Sequence, residues 1–131
     1  VYCCGPEGLL TAAEQRCAAW PPGSLHLERF AAKPQPERAA DAEQSFEVVC
    51  QRSGLTITVA PGQSIIDALD DQGVSVLSSC LEGVCGTCET RVLEGVPEHR
   101  DSLLSEEERE ANEYMMICVG RSKSDRLVLD L

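Results

Sequence analysis

The chain has 131 residues, of which 43% are hydrophobic and 25% are charged, a composition typical of a folded globular protein rather than a disordered or fibrous one. This length allows one domain with a hydrophobic core and part of a second, but it excludes two complete enzymatic domains. The formal net charge of -11 argues against nucleic acid or an anionic membrane as a partner and favours a basic surface on another protein.

The sequence contains no signal for membrane insertion or export. No apolar run approaches the roughly 20 residues that a membrane-spanning helix needs, and no basic segment followed by an apolar core opens the chain. We therefore expect a cytoplasmic protein. The chain begins at Val1 rather than Met, and its first residues resemble the interior of a strand rather than its start. We therefore expect further sequence upstream.

Residues 1–30 form the first predicted block, a strand, a helix and a second strand. Residues 1–4 have the composition of a strand end, and Gly5 and Pro6 predict a turn into a helix, because proline is favoured in the first helical turn. Apolar residues then recur near a helical period at Leu9, Leu10, Ala13, Cys17 and Trp20. Pro21 ends the helix, and residues 25–30 alternate between apolar and polar side chains as a strand does.

Residues 31–44, AAKPQPERAADAEQ, predict an exposed linker between two domains. Two prolines and charges of both signs occur there without periodicity, which is typical of a segment that has no packed face. We place the domain boundary in this segment, with residues 45–131 as the second domain.

The second domain begins with a predicted β-hairpin followed by a helix. Residues 46–50 carry apolar side chains at every second position, residues 53–54 can form a tight turn, and the alternation resumes over residues 55–59. Ser64, with an acidic residue three places later, predicts a capped helix to about residue 72, where Gly73 ends it.

Further strands are predicted over residues 90–93 and 114–119, and an edge strand over residues 127–131. A second capped helix is predicted to begin at Ser105. A hairpin, a helix, a cysteine-rich loop and further strands together predict an α+β fold of the β-grasp type.

The spacing of the cysteines indicates metal ligation. Cys80, Cys85 and Cys88 fall within nine residues, whereas evenly spaced cysteines would favour a disulfide scaffold. With Cys118 they form the pattern C-x4-C-x2-C-x29-C, in which the loop cysteines have the arrangement of plant-type [2Fe-2S] clusters. Two irons bridged by two sulfides need four thiolates, and one loop can wrap only one side. Cys118 is therefore expected to reach the cluster from the end of a predicted strand.

The predicted function of this site is the transfer of single electrons. Gly83 and Gly86 let the backbone approach the cluster and direct N–H groups at the sulfurs, which stabilises the negative charge added on reduction. Four thiolates around an oxidised core give a 2− site, and one electron makes it 3−, so a second electron is strongly disfavoured.

A structural Cys4 zinc site, which would make the domain a zinc-stapled interaction module, is the main alternative. Only Cys85 and Cys88 have the C-x2-C spacing of a zinc knuckle. We expect the remaining cysteines to be structural, with Cys17 and Cys50 in the core. The other two of this set are Cys3 and Cys4.

The segments SCLEGVCGTC, MMICVGRS and LVLDL resemble the ferredoxin domain of the phthalate dioxygenase reductase family, which includes vanillate demethylase reductases. In that family a flavin domain, a nicotinamide-nucleotide domain and a ferredoxin domain follow in order. The resemblance implies that residues 1–30 are a remnant of the NAD-binding reductase domain and that residues 45–131 are a plant-type [2Fe-2S] ferredoxin domain. It also implies that Cys4, Gly5 and Pro6, which resemble the family's C-G-P element, lie near the nicotinamide in the intact reductase.

The resemblance further implies a relay in the intact parent. Electrons would pass from NADH through FMN to the cluster and then to a Rieske-type oxygenase component that oxidises or demethylates an aromatic compound. The chain has no complete glycine-rich dinucleotide-binding unit and nothing that resembles a flavin domain. It is therefore expected to be the electron-transfer domain of an NADH-dependent oxidoreductase rather than a self-contained enzyme.

Two further features bear on partners and chemistry. Acidic residues flanking the cysteine loop are candidates for contact with a basic partner, or form a merely solvated face. They are Asp67, Asp70, Asp71, Glu82 and Glu89. His99 is predicted to be a structural turn residue, because electron transfer needs no general base.

Overall fold

A computed structural model describes residues 1–33 and 43–131. The first part contains β1 (Tyr2–Cys4), α1 (Glu7–Cys17) and β2 (His26–Glu28), and the two strands pair in parallel, which confirms the predicted strand–helix–strand order. Leu10 is the buried residue of α1, whereas other large apolar side chains of this unit are exposed. These are Tyr2, Leu9, Trp20 and Phe30. The unit therefore buries little apolar surface by itself.

Most of the predicted linker, residues 34–42, lies outside the described residues. The last two residues of the predicted linker, Glu43 and Gln44, contact the predicted second domain, because both accept polar contacts from the Arg121 guanidinium. No helix in the described part of the chain is long and apolar enough to cross a membrane.

The second domain is built on a five-stranded sheet with the strand order β4-β3-β9-β5-β7, and a separate short pair, β6-β8. The elements in chain order are β3 (Phe46–Cys50), β4 (Leu55–Val59), α2 (Ile65–Asp71), β5 (Glu89–Glu94), β6 (Pro97–Glu98), α3 (Glu106–Ala111), β7 (Tyr114–Met116), β8 (Arg121–Ser122) and β9 (Arg126–Leu129). The predicted hairpin is confirmed as the antiparallel pair β3-β4. This is an α+β fold of the β-grasp type.

Both predicted helix caps are present. The Ser64 side chain accepts a hydrogen bond from the backbone N–H of Asp67, and Ser105 forms a reciprocal capping box with Glu108. One face of α2 is buried in the core cluster. That face consists of Ile65, Ile66, Ala68 and Leu69.

The predicted edge strand at the chain end is wrong. β9 lies in the middle of the sheet, parallel to β3 on one side and antiparallel to β5 on the other. Leu127, Val128 and Leu129 are all buried, and a continuous apolar run of this kind is typical of a strand covered on both faces. The edge strand was predicted because this segment lies at the end of the chain, whereas the apolar run itself indicated a central strand.

The strand predicted over residues 114–119 is shorter than expected. β7 ends at Met116, and Ile117 to Val119 form a turn that is closed by a hydrogen bond from Gly120 N–H to the Met116 carbonyl. Cys118 therefore lies in a turn after the strand, not at its end. The second strand of the first unit is likewise shorter, since β2 spans only His26–Glu28 within the predicted residues 25–30.

A buried arginine ties the end of the predicted linker to the segment between β4 and α2. Arg121 is 5% exposed, and its guanidinium donates to the carbonyls of Gln63, Gln44 and Ala60. It also lies 3.4 Å from the Glu43 carboxylate. Burial opposes ionisation of Glu43, but the Gly62 N–H and the guanidinium groups of Arg100 and Arg121 outweigh it and lower the pKa of that carboxyl.

We expect Glu43→Gln to lower the free energy of unfolding at pH 7 by about 1–3 kcal/mol, because a charge-assisted hydrogen bond is lost. A lowered folded-state pKa stabilises the fold above the pH at which an unfolded glutamate titrates, and this contribution is lost as pH falls through the folded pKa. The gap between wild type and variant should therefore be full at pH 7 and close progressively below about pH 4.5. The exposed Glu47→Gln is the control. Thermal unfolding at pH 7 and below about pH 4.5 measures the stability gap between wild type and variant. A gap that does not change with pH would contradict the lowered pKa of Glu43.

Candidate metal centre

Four cysteines from two separate segments of the chain come together beside the sheet. Cys80, Cys85 and Cys88 lie in the loop between α2 and β5, and Cys118 comes from the turn after β7. β5 and β7 are antiparallel neighbours, with Glu89 opposite Met116, so the residues next to these two strand ends are brought together. This pairing explains how a cysteine near the end of the chain reaches the cysteine loop.

Backbone N–H groups of the loop point at the sulfurs. Glu82 and Val84 donate to Cys80 Sγ at 3.3 and 3.5 Å, and Thr87 donates through its backbone N–H to Cys85 Sγ at 3.4 Å. The Thr87 hydroxyl oxygen lies 3.2 Å from the same sulfur. Such donors stabilise negative charge on thiolates and on a metal group that the thiolates bind.

The thiols interact in two pairs. The side chain of Cys85 hydrogen-bonds that of Cys80, and the side chain of Cys88 hydrogen-bonds that of Cys118. Within residues 1–33 and 43–131, no three or more His, Cys, Asp or Glu side chains lie close enough together to hold a single metal ion. A [2Fe-2S] cluster has two irons with two thiolates each, and two adjacent pairs of thiols fit that requirement.

The loop prepares two of the thiols for ionisation. Hydrogen bonds from Thr87 and then from Cys80 lower the pKa of Cys85 to about 6. The hydrogen bond from Cys118 lowers the pKa of Cys88 to about 6, against the effect of burial. The same hydrogen bond and burial raise the pKa of Cys118. Because metal ligands bind as thiolates, binding a cluster here releases the remaining protons.

Gly83 is the closest packing point of the loop. Its φ of 74° is in the left-handed region that favours glycine, and a Cβ built there would lie 2.7 Å from Val119 Cγ2 and 2.9 Å from Asp101 Cα. Val119, the residue after Cys118, and the segment around Asp101 therefore both pack closely against the cysteine loop. Leu81 also has a positive φ of 57°, although it carries a side chain.

Each of the eight cysteines is a free thiol, which contradicts the disulfide scaffold. Cys50 is fully buried in the core, as predicted. Cys17 is only partly buried, so its expected place in the core is wrong, because α1 buries little more than Leu10. Cys3 is partly buried and Cys4 is exposed.

The predicted acidic residues are all exposed, in α2 and in and beside the cysteine loop. His99 follows β6, and its Nε2 lies 3.1 Å from Asn112 Oδ1 at the end of α3. This contact joins two loops and agrees with the predicted structural role of His99.

Sequence reasoning missed the role of Asp101. Asp101 is 3% exposed, and its Oδ2 accepts hydrogen bonds from the N–H groups of Leu103 and Leu104. An aspartate followed by two residues that can donate to it is a signal for this kind of turn. Its contact with Gly83, by contrast, is visible only in the fold.

A β-grasp sheet with two thiol pairs in a loop and a neighbouring turn defines a domain that binds an iron–sulfur cluster. The family of 2Fe-2S iron-sulfur cluster binding domains matches residues 48–123. This is more than half of the chain, which therefore belongs to that family. The domain carries a [2Fe-2S] cluster and transfers electrons.

Known proteins resemble the whole chain. The "Phenoxybenzoate dioxygenase subunit beta" of Ectopseudomonas oleovorans is 52% identical over 99% of this chain and 40% of its own length. A solved phthalate dioxygenase reductase, described as a modular structure for electron transfer from pyridine nucleotides to [2Fe-2S], is 39% identical, with a TM-score of 0.74, over 100% of this chain and 39% of that one.

A solved intact type IV self-sufficient cytochrome P450 monooxygenase is 42% identical, with a TM-score of 0.85, over 100% of this chain and 17% of that one. The present chain spans about 40% of the length of the curated relatives that it matches.

Proposed function

We propose that Cys80, Cys85, Cys88 and Cys118 are the cluster ligands. The observation that carries this proposal is the pairing of β5 with β7, which brings the turn that holds Cys118 beside the loop that holds the other three cysteines. Cys88 and Cys118 are 4% and 8% exposed, whereas Cys85 is exposed. One pair would therefore hold the buried side of the cluster and the other the side nearer to solvent.

The chain's own residues make the site suitable for one-electron transfer. When bound, a [2Fe-2S] cluster takes up and releases one electron at a time. The N–H groups of Glu82, Val84 and Thr87 offset the negative charge around the sulfurs. Burial of Cys88 and Cys118 keeps water from one side, while the exposed loop lets a partner approach closely enough for an electron to pass.

The domain organisation supports a reductase parent. We propose that residues 1–30 are the end of an NAD-binding domain, residues 31–44 a linker and residues 45–131 the ferredoxin domain. The first unit exposes Trp20 and Phe30, as expected of a unit whose packing partners belong to the rest of a larger domain. In that parent, Cys4, Gly5 and Pro6 at the β1–α1 turn would lie near the nicotinamide.

In the parent we propose a relay from NADH through FMN to this domain and on to a Rieske-type oxygenase component. The dioxygenase and reductase names of the relatives support this direction of electron flow. The exposed acidic side chains, from Asp67 to Glu89, would favour a basic surface on the acceptor. A cytoplasmic location belongs to the same proposal.

Iron and sulfide analysis tests the presence of the cluster. Anaerobically purified protein is expected to contain two irons and two acid-labile sulfides per chain, to absorb visible light and to become paramagnetic on one-electron reduction, because these are properties of [2Fe-2S] centres. Stoichiometric zinc without labile sulfide would instead support the zinc-stapled module, since zinc has no redox chemistry and is spectroscopically silent.

A further inference from the structure

The turn formed by residues 101–104, here called the bracing turn, is held by one carboxylate oxygen. Asp101 Oδ2 accepts from the N–H groups of Leu103 and Leu104 at 3.0 and 2.8 Å. From α3, Arg109 donates to the Asp101 carbonyl at 2.6 Å and to the Leu104 carbonyl at 3.2 Å. The turn is therefore fixed at both its ends.

The bracing turn packs directly on the cysteine loop. Ser102 N–H donates to the Gly83 carbonyl at 2.9 Å, and a Cβ on Gly83 would lie 2.9 Å from Asp101 Cα. A Cβ on Gly86 would lie 3.0 Å from Leu103 Cδ2. The turn thus covers the loop at the two glycines that flank Cys85.

The charge of Asp101 is more than the bracing turn requires. Its Oδ2 makes both turn hydrogen bonds, and an asparagine would supply the same oxygen without a charge. Its Oδ1 is buried and has no hydrogen-bond donor within the described residues. The His99 ring nitrogen Nδ1 lies 4.0 Å from Oδ1, and the Arg109 guanidinium lies 3.8 Å from Oδ2. Burying a carboxylate is costly, so the turn alone does not account for the charge of Asp101.

We propose that the buried carboxylate of Asp101 lowers the reduction potential of the cluster and that the Arg109 guanidinium partly offsets it. An added electron makes the site more negative by one charge, and a negative group buried beside the loop disfavours that electron, since charges interact strongly where water is excluded. This inference rests on the proposed ligand set, because the bracing turn acts on the loop that carries three of the four cysteines.

Redox titration of the cluster-loaded chain tests the inference. Asp101→Asn keeps the size and the turn-forming oxygen, and is expected to raise the midpoint potential while the visible spectrum is unchanged. Arg109→Gln removes a positive charge, and is expected to lower it. Asp125→Asn is the control for net charge and is expected to leave the potential unchanged. Asp125 is exposed and precedes β9, at the end of the sheet away from Cys88, which precedes the start of β5.

The opposite directions of the two expected potential shifts distinguish an effect of charge from disruption of the bracing turn. If both variants shift the potential upwards, the turn acts by excluding water, and the charge account is overturned. Unchanged potentials in both variants would also overturn it. If Asp101→Asn does not retain a cluster, the Arg109→Gln variant decides: a lower midpoint potential supports the charge account, and a higher or unchanged one overturns it. Failure of the proposed ligand set would be seen separately, as a Cys118→Ser protein whose [2Fe-2S] visible spectrum is unchanged.

Discussion

Replacement of Cys118 by serine is expected to abolish most of the cluster binding, with at least about a tenfold loss of iron and visible absorbance per chain. Cys118 is the partner of Cys88 in the buried thiol pair, so its loss leaves that side with one thiolate. A serine hydroxyl is a harder ligand and is not ionised at neutral pH, so it replaces a thiolate poorly. Iron, labile sulfide and the visible spectrum of anaerobically purified protein measure the effect.

Two other serine substitutions separate ligation from folding. Cys17→Ser, in the partly buried α1 position, is expected to keep full cluster content. Cys50→Ser places a hydroxyl in the core between paired strands and should destabilise the fold by about 1–3 kcal/mol, yet keep the cluster. A Cys118→Ser protein with an unchanged visible spectrum would remove Cys118 from the ligand set. Equal cluster loss in Cys50→Ser would show that instability, rather than ligation, accounts for the result.

The features that could be predicted from sequence are those with local causes. The loop cysteines follow a spacing that the cluster itself imposes, and the caps at Ser64 and Ser105 depend on residues within one helical turn. The hairpin of residues 46–59 likewise depends on alternation and a tight turn. The ligand assignment itself remains a prediction that the substitutions above test.

The features that could not be predicted depend on contacts between distant segments. β9 is central because β3 and β5 both pair with it. The order of strands in a sheet depends on pairing between distant segments and cannot be deduced from the sequence of one strand. The salt bridge of Glu43 with the buried Arg121 likewise joins the end of the predicted linker to a strand near the chain end. Asp101 is predictable as a turn residue, but its effect on the cysteine loop depends on Gly83 in another segment.

Replacement of Gly83 by alanine is expected to weaken both the fold and the cluster. The left-handed backbone alone should cost about 1–2 kcal/mol, and the overlap with Val119 and Asp101 about 1–3 kcal/mol more. Asp101 contributes a backbone atom to that overlap, which cannot move as a flexible side-chain tip can. Displacing Val119 also displaces the adjacent Cys118 from Cys88. Thermal unfolding and the rate of absorbance loss on heating measure the two effects.

Gly73→Ala provides a matched control. Gly73 has a φ of 76°, almost equal to that of Gly83, but a Cβ there would meet nothing within 4 Å. The alanine at position 73 should therefore cost only the backbone term and leave the cluster content and its rate of loss unchanged. Equal effects of the two substitutions would show that conformation, not contact, makes Gly83 sensitive. A larger effect at Gly83 that is confined to cluster loss would indicate that the contact with Val119 acts mainly through Cys118.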